Sequence, residues 1–228
     1  MLFSSTAFLF FFLPITLFVY FISPKKLKNF VLLLFSLVFY SWGEGTMVLL
    51  ILLSALIDYS CAILINSGQK KLGLICSLIF NLGILIYFKY ANFIFENVNT
   101  LFINLDLKSA TSIQLTNIAL PIGISFFNFQ TMSYTIDVYR GKVKANKKFI
   151  DFAMYVAFFP QLIAGPIVRY TEIKDELTNR KPNITQFSQG VERFIIGLSK
   201  KMIIANNCGF LADGMFSLSN NDLSMSMA

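Results

Sequence analysis

An all-α protein, a polytopic transmembrane helical bundle with a re-entrant helix, is the fold class this sequence predicts, and three observations predict it. Hydrophobic residues make up 56% of the 228 and charged residues only 14%, whereas a soluble domain carries about 25% charged residues. Apolar runs approaching the roughly 20 residues of a spanning helix recur along the chain. Basic residues gather in short loops after alternate runs, as the positive-inside rule requires.

The elements follow in order. Residues 3–22 form the first apolar run, with Pro14 as a kink site. Its positive charges, Lys25, Lys26 and Lys28, follow the run instead of preceding it, so it reads as an anchor and not as a cleavable signal peptide. The run 30–42 is short and ends at Trp42, an interfacial anchor, before the turn Gly43-Glu44-Gly45. A third span, 46–65, leads into the polar turn 66–71, and a fourth, 72–88, ends at Lys89-Tyr90, where the lysine can snorkel. Residues 96–116 are polar and mixed and read as a loop with room for a surface helix. The fifth span is 118–139.

Lys25/Lys26/Lys28, Lys70/Lys71 and Arg140/Lys142/Lys144/Lys147/Lys148 follow spans one, three and five, so all three groups land on one side. That side is the cytoplasm, and the N-terminus is outside. Beyond Phe149 the alternation breaks. Residues 149–165 are apolar but short, and Pro160 and Gly165-Pro166 interrupt them; a crossing there would put Arg169, Lys174, Arg180 and Lys181 outside. A re-entrant element returning to the cytoplasm removes the conflict, and irregular backbone at that depth must be buried in protein or line a cavity. Residues 171–189 then form a soluble helical loop, 191–216 an interfacial or spanning helix, and 217–228 a Ser/Asn/Met-rich tail without a core-forming pattern.

The net charge of +7 does not indicate a nucleic-acid partner, because the basic residues are spread through loops and not gathered on a stripe with interleaved aromatics. Cys61, Cys76 and Cys208 form no close pair, which gives neither a disulfide framework nor a zinc site; they read as small buried thiols. No metal site is predicted, and the chain has no histidine. Asn183-Ile184-Thr185 matches a glycosylation sequon but falls on the segment predicted to be cytoplasmic and is set aside. The 26 phenylalanines fit the codon bias of an AT-rich genome better than a dedicated aromatic surface.

Polar groups at membrane depth are expensive and usually face a bundle interior or cavity, and this chain concentrates them between Leu120 and Ile167. On a helix over 118–139, Gly123, Phe126, Phe127, Gln130, Ser133, Tyr134 and Asp137 share one face, while the opposite side is mostly apolar apart from Asn128. Pro121 suits a helix first turn, and Gly123 permits a close backbone approach. Two readings stay open for Gln130, Tyr134 and Asp137: hydrogen bonds between helices, with Asp137 paired to Arg140, or the wall of a substrate passage. The region as a whole reads as a cavity wall. Pro160 and Gly165-Pro166 free backbone carbonyls nearby, and Gln161 caps them or meets a ligand. Arg169 either attracts an anionic donor or is an ordinary edge charge.

Three stretches carry a resemblance: Leu120-Pro-Ile-Gly-Ile-Ser-Phe-Phe through Tyr134-Thr-Ile-Asp-Val-Tyr-Arg-Gly141; Phe158-Phe-Pro-Gln-Leu-Ile-Ala-Gly-Pro-Ile167; and Phe194-Ile-Ile-Gly-Leu-Ser-Lys-Lys-Met-Ile-Ile-Ala-Asn206. Phe39-Tyr-Ser-Trp-Gly43 and Tyr87-Phe-Lys-Tyr90 are weaker companions. At these residues the chain resembles the membrane-bound O-acyltransferase family, in the bacterial branch that O-acetylates peptidoglycan and exported polysaccharides such as alginate. Residues 1–216 resemble the N-terminal part of that domain.

The resemblance implies a multi-helix enzyme of the bacterial inner membrane with no bound cofactor. Such an enzyme takes an acyl group, usually acetyl, from a cytoplasmic thioester donor, acetyl-CoA or an acyl carrier protein. It passes the group through a central tunnel to a polysaccharide or peptidoglycan hydroxyl outside, or to an extracytoplasmic acetyltransferase partner. The resemblance also implies a histidine in the family's second half as general base. Here the chain departs from the family: it reaches Ala228 without any histidine, so no catalytic residue is assigned. The bundle reads as incomplete relative to the family, as a fragment, a frameshift or a split gene, and the chain alone is expected to be inactive. Other classes are a transporter, which suits a polar stripe and a broken helix but shows no inverted repeat, and a non-catalytic membrane scaffold.

Overall fold

The computed structural model describes residues 3–104, 120–162, 165, 168–180 and 183–217. They fall into two compact units, Leu13–Asn179 and a second made of Leu2–Phe12 with Arg180–Ala228. All regular structure among the described residues is helical.

The first unit holds α1 (Leu13–Ile22), α2 (Lys28–Glu44), α3 (Val48–Asn66), α4 (Lys70–Leu85), α5 (Ala91–Asn104), α6 (Ile124–Tyr139), α7 (Phe149–Ala157), α8 (Phe159–Leu162) and α9 (Tyr170–Thr178). The helical runs Lys28–Asn66 and Lys70–Leu101 are long and apolar enough to cross a membrane. The first run reverses at Gly45, whose φ of 58° only glycine adopts freely, followed by the tight 3-10 turn Gly45–Met47. The reversal shows in what the two helices touch. Asn29, at the start of α2, donates to Asp151 Oδ1 at 2.6 Å, and Tyr59, late in α3, donates to the Lys147 carbonyl at 2.9 Å.

Helix α7 lies at the centre, with every residue from Asp151 to Ala157 buried. It runs beside α2 in the same direction. Asn29 meets Asp151 at one end, and at the other the Phe159 amide donates to Ser36 Oγ at 3.2 Å while the Phe39 and Phe159 rings lie 5.4 Å apart. The helix stops at Phe158, whose ψ of 109° leaves the helical region. Pro160, two residues on, has no amide to donate, and its ring would clash with a carbonyl four residues back if the helix ran on. After the single turn of α8, the chain is next to its own entry point. Tyr155 Oη donates to the Val168 carbonyl at 2.8 Å, and Asn146 Nδ2 donates to Tyr170 Oη at 3.0 Å. The stretch therefore goes into the bundle and comes back to the end where it entered.

Polar side chains share the interior with the apolar core, and large apolar side chains cover much of the exterior. Asp58, Asn81, Asn128, Thr131 and Thr135 are fully buried, whereas Phe18, Leu49, Ile79 and Phe93 are exposed. This inverts the soluble pattern, in which buried Asp and Asn are rare.

Several boundaries differ from the sequence reading. The run 72–88 does not end at Lys89-Tyr90: a π-helical turn, Ile86–Tyr90, carries it into α5, so 96–104 is helix and not loop, while 105–116 lie outside the described residues. Helix α6 begins at Ile124, so Pro121 and Gly123 precede it. At 16 residues it is about 24 Å long, shorter than a full span. Pro14 lies in the first turn of α1, after another π-helical turn, Phe8–Phe12. Only Cys61 is buried; Cys76 and Cys208 are exposed, where a thiol behaves as a small hydrophobe on an apolar exterior.

In the second unit, α10 (Ile184–Ser199), the π-helical turn Lys200–Ala205 and α11 (Asn206–Phe216) form one continuous helical rod with no buried residue. It starts ahead of the predicted residue 191. Asn183 caps it, its side chain accepting from the Thr185 amide at 3.1 Å, which gives the Asn-Ile-Thr tripeptide a structural role. Residues 218–228 lie outside the described residues.

Candidate functional site

Helix α6 and the broken hairpin of α7 and α8 bring the two polar stretches of the sequence together. Gly123 caps α6 in the left-handed region, φ 79°, and a Cβ there would sit 3.0 Å from the Leu162 carbonyl. The α6 terminus thus packs directly on the main chain of α8. About two turns further, Gln130 Nε2 donates to the Tyr155 carbonyl at 2.9 Å, and Ser133 Oγ donates back to the Gln130 carbonyl at 2.8 Å. Tyr134 is fully buried, with its ring 4.4 Å from Phe152 and 4.8 Å from Tyr170, and its hydroxyl accepts from the Asn146 amide at 2.8 Å. Burial pushes the Tyr170 hydroxyl above its ordinary value; donation from Asn146 opposes that, and the Asp151 charge adds to it.

The remaining predicted residues divide. Asp137 is buried, but its partner is Lys142 Nζ at 3.9 Å and not Arg140, because the chain turns back after Tyr139 and the Lys142 amide bonds the Asp137 carbonyl at 3.0 Å. Gln161 is half-buried in α8, and its Nε2 is buried without a hydrogen-bond partner among the described residues, so it caps no freed carbonyl there. Its main chain is engaged: the Phe158 carbonyl accepts from the Gln161 amide at 3.0 Å and the Gln161 carbonyl from the Gly165 amide at 3.1 Å. A Cβ at Gly165 would collide with Gln161 Cα at 2.7 Å, so the turn requires glycine. Pro160 is exposed, Pro121 is buried beside the start of α6, and Pro166 lies outside the described residues. Arg169 is exposed at the N-cap of α9, next to the aromatic cluster but not inside it. Phe126, assigned to the stripe, is exposed instead.

A second polar cluster lies on the side of α6 that reads as mostly apolar in the sequence. Asp58 of α3 accepts hydrogen bonds from Ser77 Oγ, from Asn81 Nδ2 at 2.9 and 3.1 Å, and from Thr135 Oγ1 at 3.2 Å. Thr131 Oγ1 donates to Asn81 Oδ1 at 3.2 Å. All five side chains are fully buried. The signal for this cluster was present: Asp58 is the one charged residue in α3, and Ser77/Asn81 and Thr131/Thr135 are both i, i+4 pairs. None of these side chains belongs to a group of three or more His, Cys, Asp or Glu able to hold a metal, a grouping absent among the described residues.

No family model and no solved structure matches the sequence. Curated relatives do. A protein named "Probable alginate O-acetylase AlgI" from Pseudomonas syringae pv. tomato is 39% identical over 225 residues, covering 96% of this chain and 43% of the relative. A protein of the same name from Azotobacter vinelandii is 38% identical over 227 residues, covering 96% of this chain and 44% of the relative. A peptidoglycan O-acetyltransferase from Helicobacter pylori is 32% identical over 249 residues, covering 93% and 46%. The chain thus spans less than half the length of the curated relatives it matches. Over nearly its whole length the chain is similar to part of proteins named alginate O-acetylase and peptidoglycan O-acetyltransferase, the kinds of protein its motifs resemble.

Proposed function

We propose that this chain supplies the wall of an acyl passage in an inner-membrane O-acetyltransferase. The observation that carries the proposal is the closure of two distant polar motifs on one broken hairpin, with Gly123 on the Leu162 carbonyl and Gln130 on the Tyr155 carbonyl. The wall lies in a bilayer with the N-terminus outside and the lysine-rich loops in the cytoplasm. Helices α7 and α8 enter from the cytoplasmic face and return to it. A thioester donor, acetyl-CoA or an acyl carrier protein, delivers acetyl there. The acceptor is a hydroxyl of an exported polysaccharide or of peptidoglycan, or a partner acetyltransferase outside.

In such a transfer the hydroxyl oxygen attacks the thioester carbonyl carbon, and the C–S bond breaks with its electron pair going to the leaving thiolate. A base takes the hydroxyl proton and passes it to that thiolate. Gln161, with a buried amide nitrogen and no partner, is the donor in this wall suited to the acyl carbonyl oxygen. The base is not among these 228 residues by the family's pattern, since they contain no histidine.

The test is Gln161→Leu in a full-length relative. The expected result is acetyl ester on the polymer reduced by about tenfold or more at unchanged protein abundance; undiminished acetylation rejects the wall assignment. The 228-residue chain alone, in a host lacking its acetyltransferase, is expected to leave the polymer unacetylated. A non-catalytic scaffold or transporter-like bundle is the second reading, favoured by a broken helix beside a polar helix face, and it predicts that Gln161→Leu changes nothing.

A further inference from the structure

The Asp58 cluster leaves two polar groups beside it unaccounted for. Ser54 Oγ on α3 and both polar side-chain atoms of Asn128 on α6 are buried and bond to nothing among the described residues, and both residues are fully enclosed. Buried polar groups in folded proteins are almost always satisfied, so each exception asks for a partner.

Helix register places the two close together. Helices α3 and α6 run in the same direction. Near their starts, Tyr40 Oη donates to the Ile122 carbonyl at 2.8 Å and the Ile122 amide to Glu44 at 3.2 Å; near their ends, Tyr59 reaches the Lys147 carbonyl. Asp58 meets Thr135 across this interface. One turn back on each helix are Ser54 and Thr131, and Asn128 follows three residues beyond Thr131, about 4.5 Å of helical rise.

We infer that a buried water molecule sits between α3 and α6, bonded to Ser54 and Asn128, and extends the Asp58–Asn81–Thr131 network toward the Gly123 end of α6. The chemistry selects water. Asn128 presents a donor and an acceptor, as does the Ser54 hydroxyl; a cation would engage only the oxygens and leave the amide hydrogens stranded. Complete enclosure admits only a very small ligand, and water bridging otherwise unsatisfied groups is the ordinary occupant of such a site.

The experiment is X-ray hydroxyl-radical labelling of the purified 228-residue chain in detergent, read residue by residue by mass spectrometry. Radicals generated from a trapped water oxidise side chains around it that bulk solvent does not reach. Ile51, fully buried one turn before Ser54, is expected to label about fivefold faster than Ile65, which is equally buried at the far end of α3. Equal, background-level labelling of the two overturns the site. Thermal unfolding of Ser54→Ala, Asn128→Leu and the double variant gives a second reading. A shared water predicts that both single variants lower the midpoint and that the double variant lowers it by less than the sum. Additive shifts, or a rise with Asn128→Leu alone, overturn it.

Discussion

Toward α7, helix α6 presents Gln130 and Tyr134; toward α3 and α4 it presents Thr131 and Thr135. The first pair bonds main chain, the Tyr155 carbonyl and the Asn146 amide. The second pair bonds side chains that converge on the single carboxylate of Asp58. A polar side chain bonded to main chain can be lost at the expense of one partner. A carboxylate that gathers hydroxyls and an amide from two other helices is a shared acceptor, and its loss strands every donor together. The α7-facing side is thus the more tolerant of the two, as the proposed wall requires, while the α3/α4-facing side holds the helix in place.

Substitutions sharpen the contrast in descending order of effect. Asp58→Ala strands Ser77, Asn81 and Thr135 at once and is expected to cost about 3 kcal/mol or more, seen as loss of folded protein in membrane extracts. The swapped pair Asp58→Asn/Asn81→Asp, which restores one carboxylate facing one amide, recovers part of that loss; no recovery would break the shared-acceptor account. Gly123→Ala forces a side chain into the left-handed region against the Leu162 carbonyl and is expected to cost about 2 kcal/mol, measured as a lower unfolding midpoint. Gln130→Leu leaves one carbonyl unpaired and is expected to cost about 1 kcal/mol; a loss matching that of Asp58→Ala would erase the distinction between the two faces. Lys142→Ala removes a half-exposed partner 3.9 Å from Asp137 and is expected to change stability by less than about 0.5 kcal/mol.

The face toward α7 was legible in the sequence because Gln130, Tyr134 and Asp137 interrupt an apolar run at helical spacing. The break in the chain after α7 was legible from Pro160. Thr131 and Thr135 escaped notice for a physical reason: a threonine is apolar enough to pass as lining, and its role depends on a partner some fifty residues or more away in sequence, Asn81 or Asp58. The continuation of the fourth helix through Lys89 was hidden for the opposite reason. A lysine reads as an end, yet this one folds back over the Tyr90 ring, 5.7 Å from its centre, and the helix goes on.

That continuation passes through the π-helical turn Ile86–Tyr90, and the turn bears on how the chain tolerates changes in its length. Each wide turn encloses one residue more than an α-helical turn would, so it is an insertion already absorbed by the backbone. Removing a single residue there would let the helix close to regular winding with the segments on either side keeping their contacts. The same deletion in α3 or α6 would rotate every following side chain by about 100° and turn the Asp58 cluster outward. Single-residue length differences between this chain and others of its kind are therefore expected to collect at Phe8–Phe12, Ile86–Tyr90 and Lys200–Ala205, and to spare the helices that share the buried carboxylate.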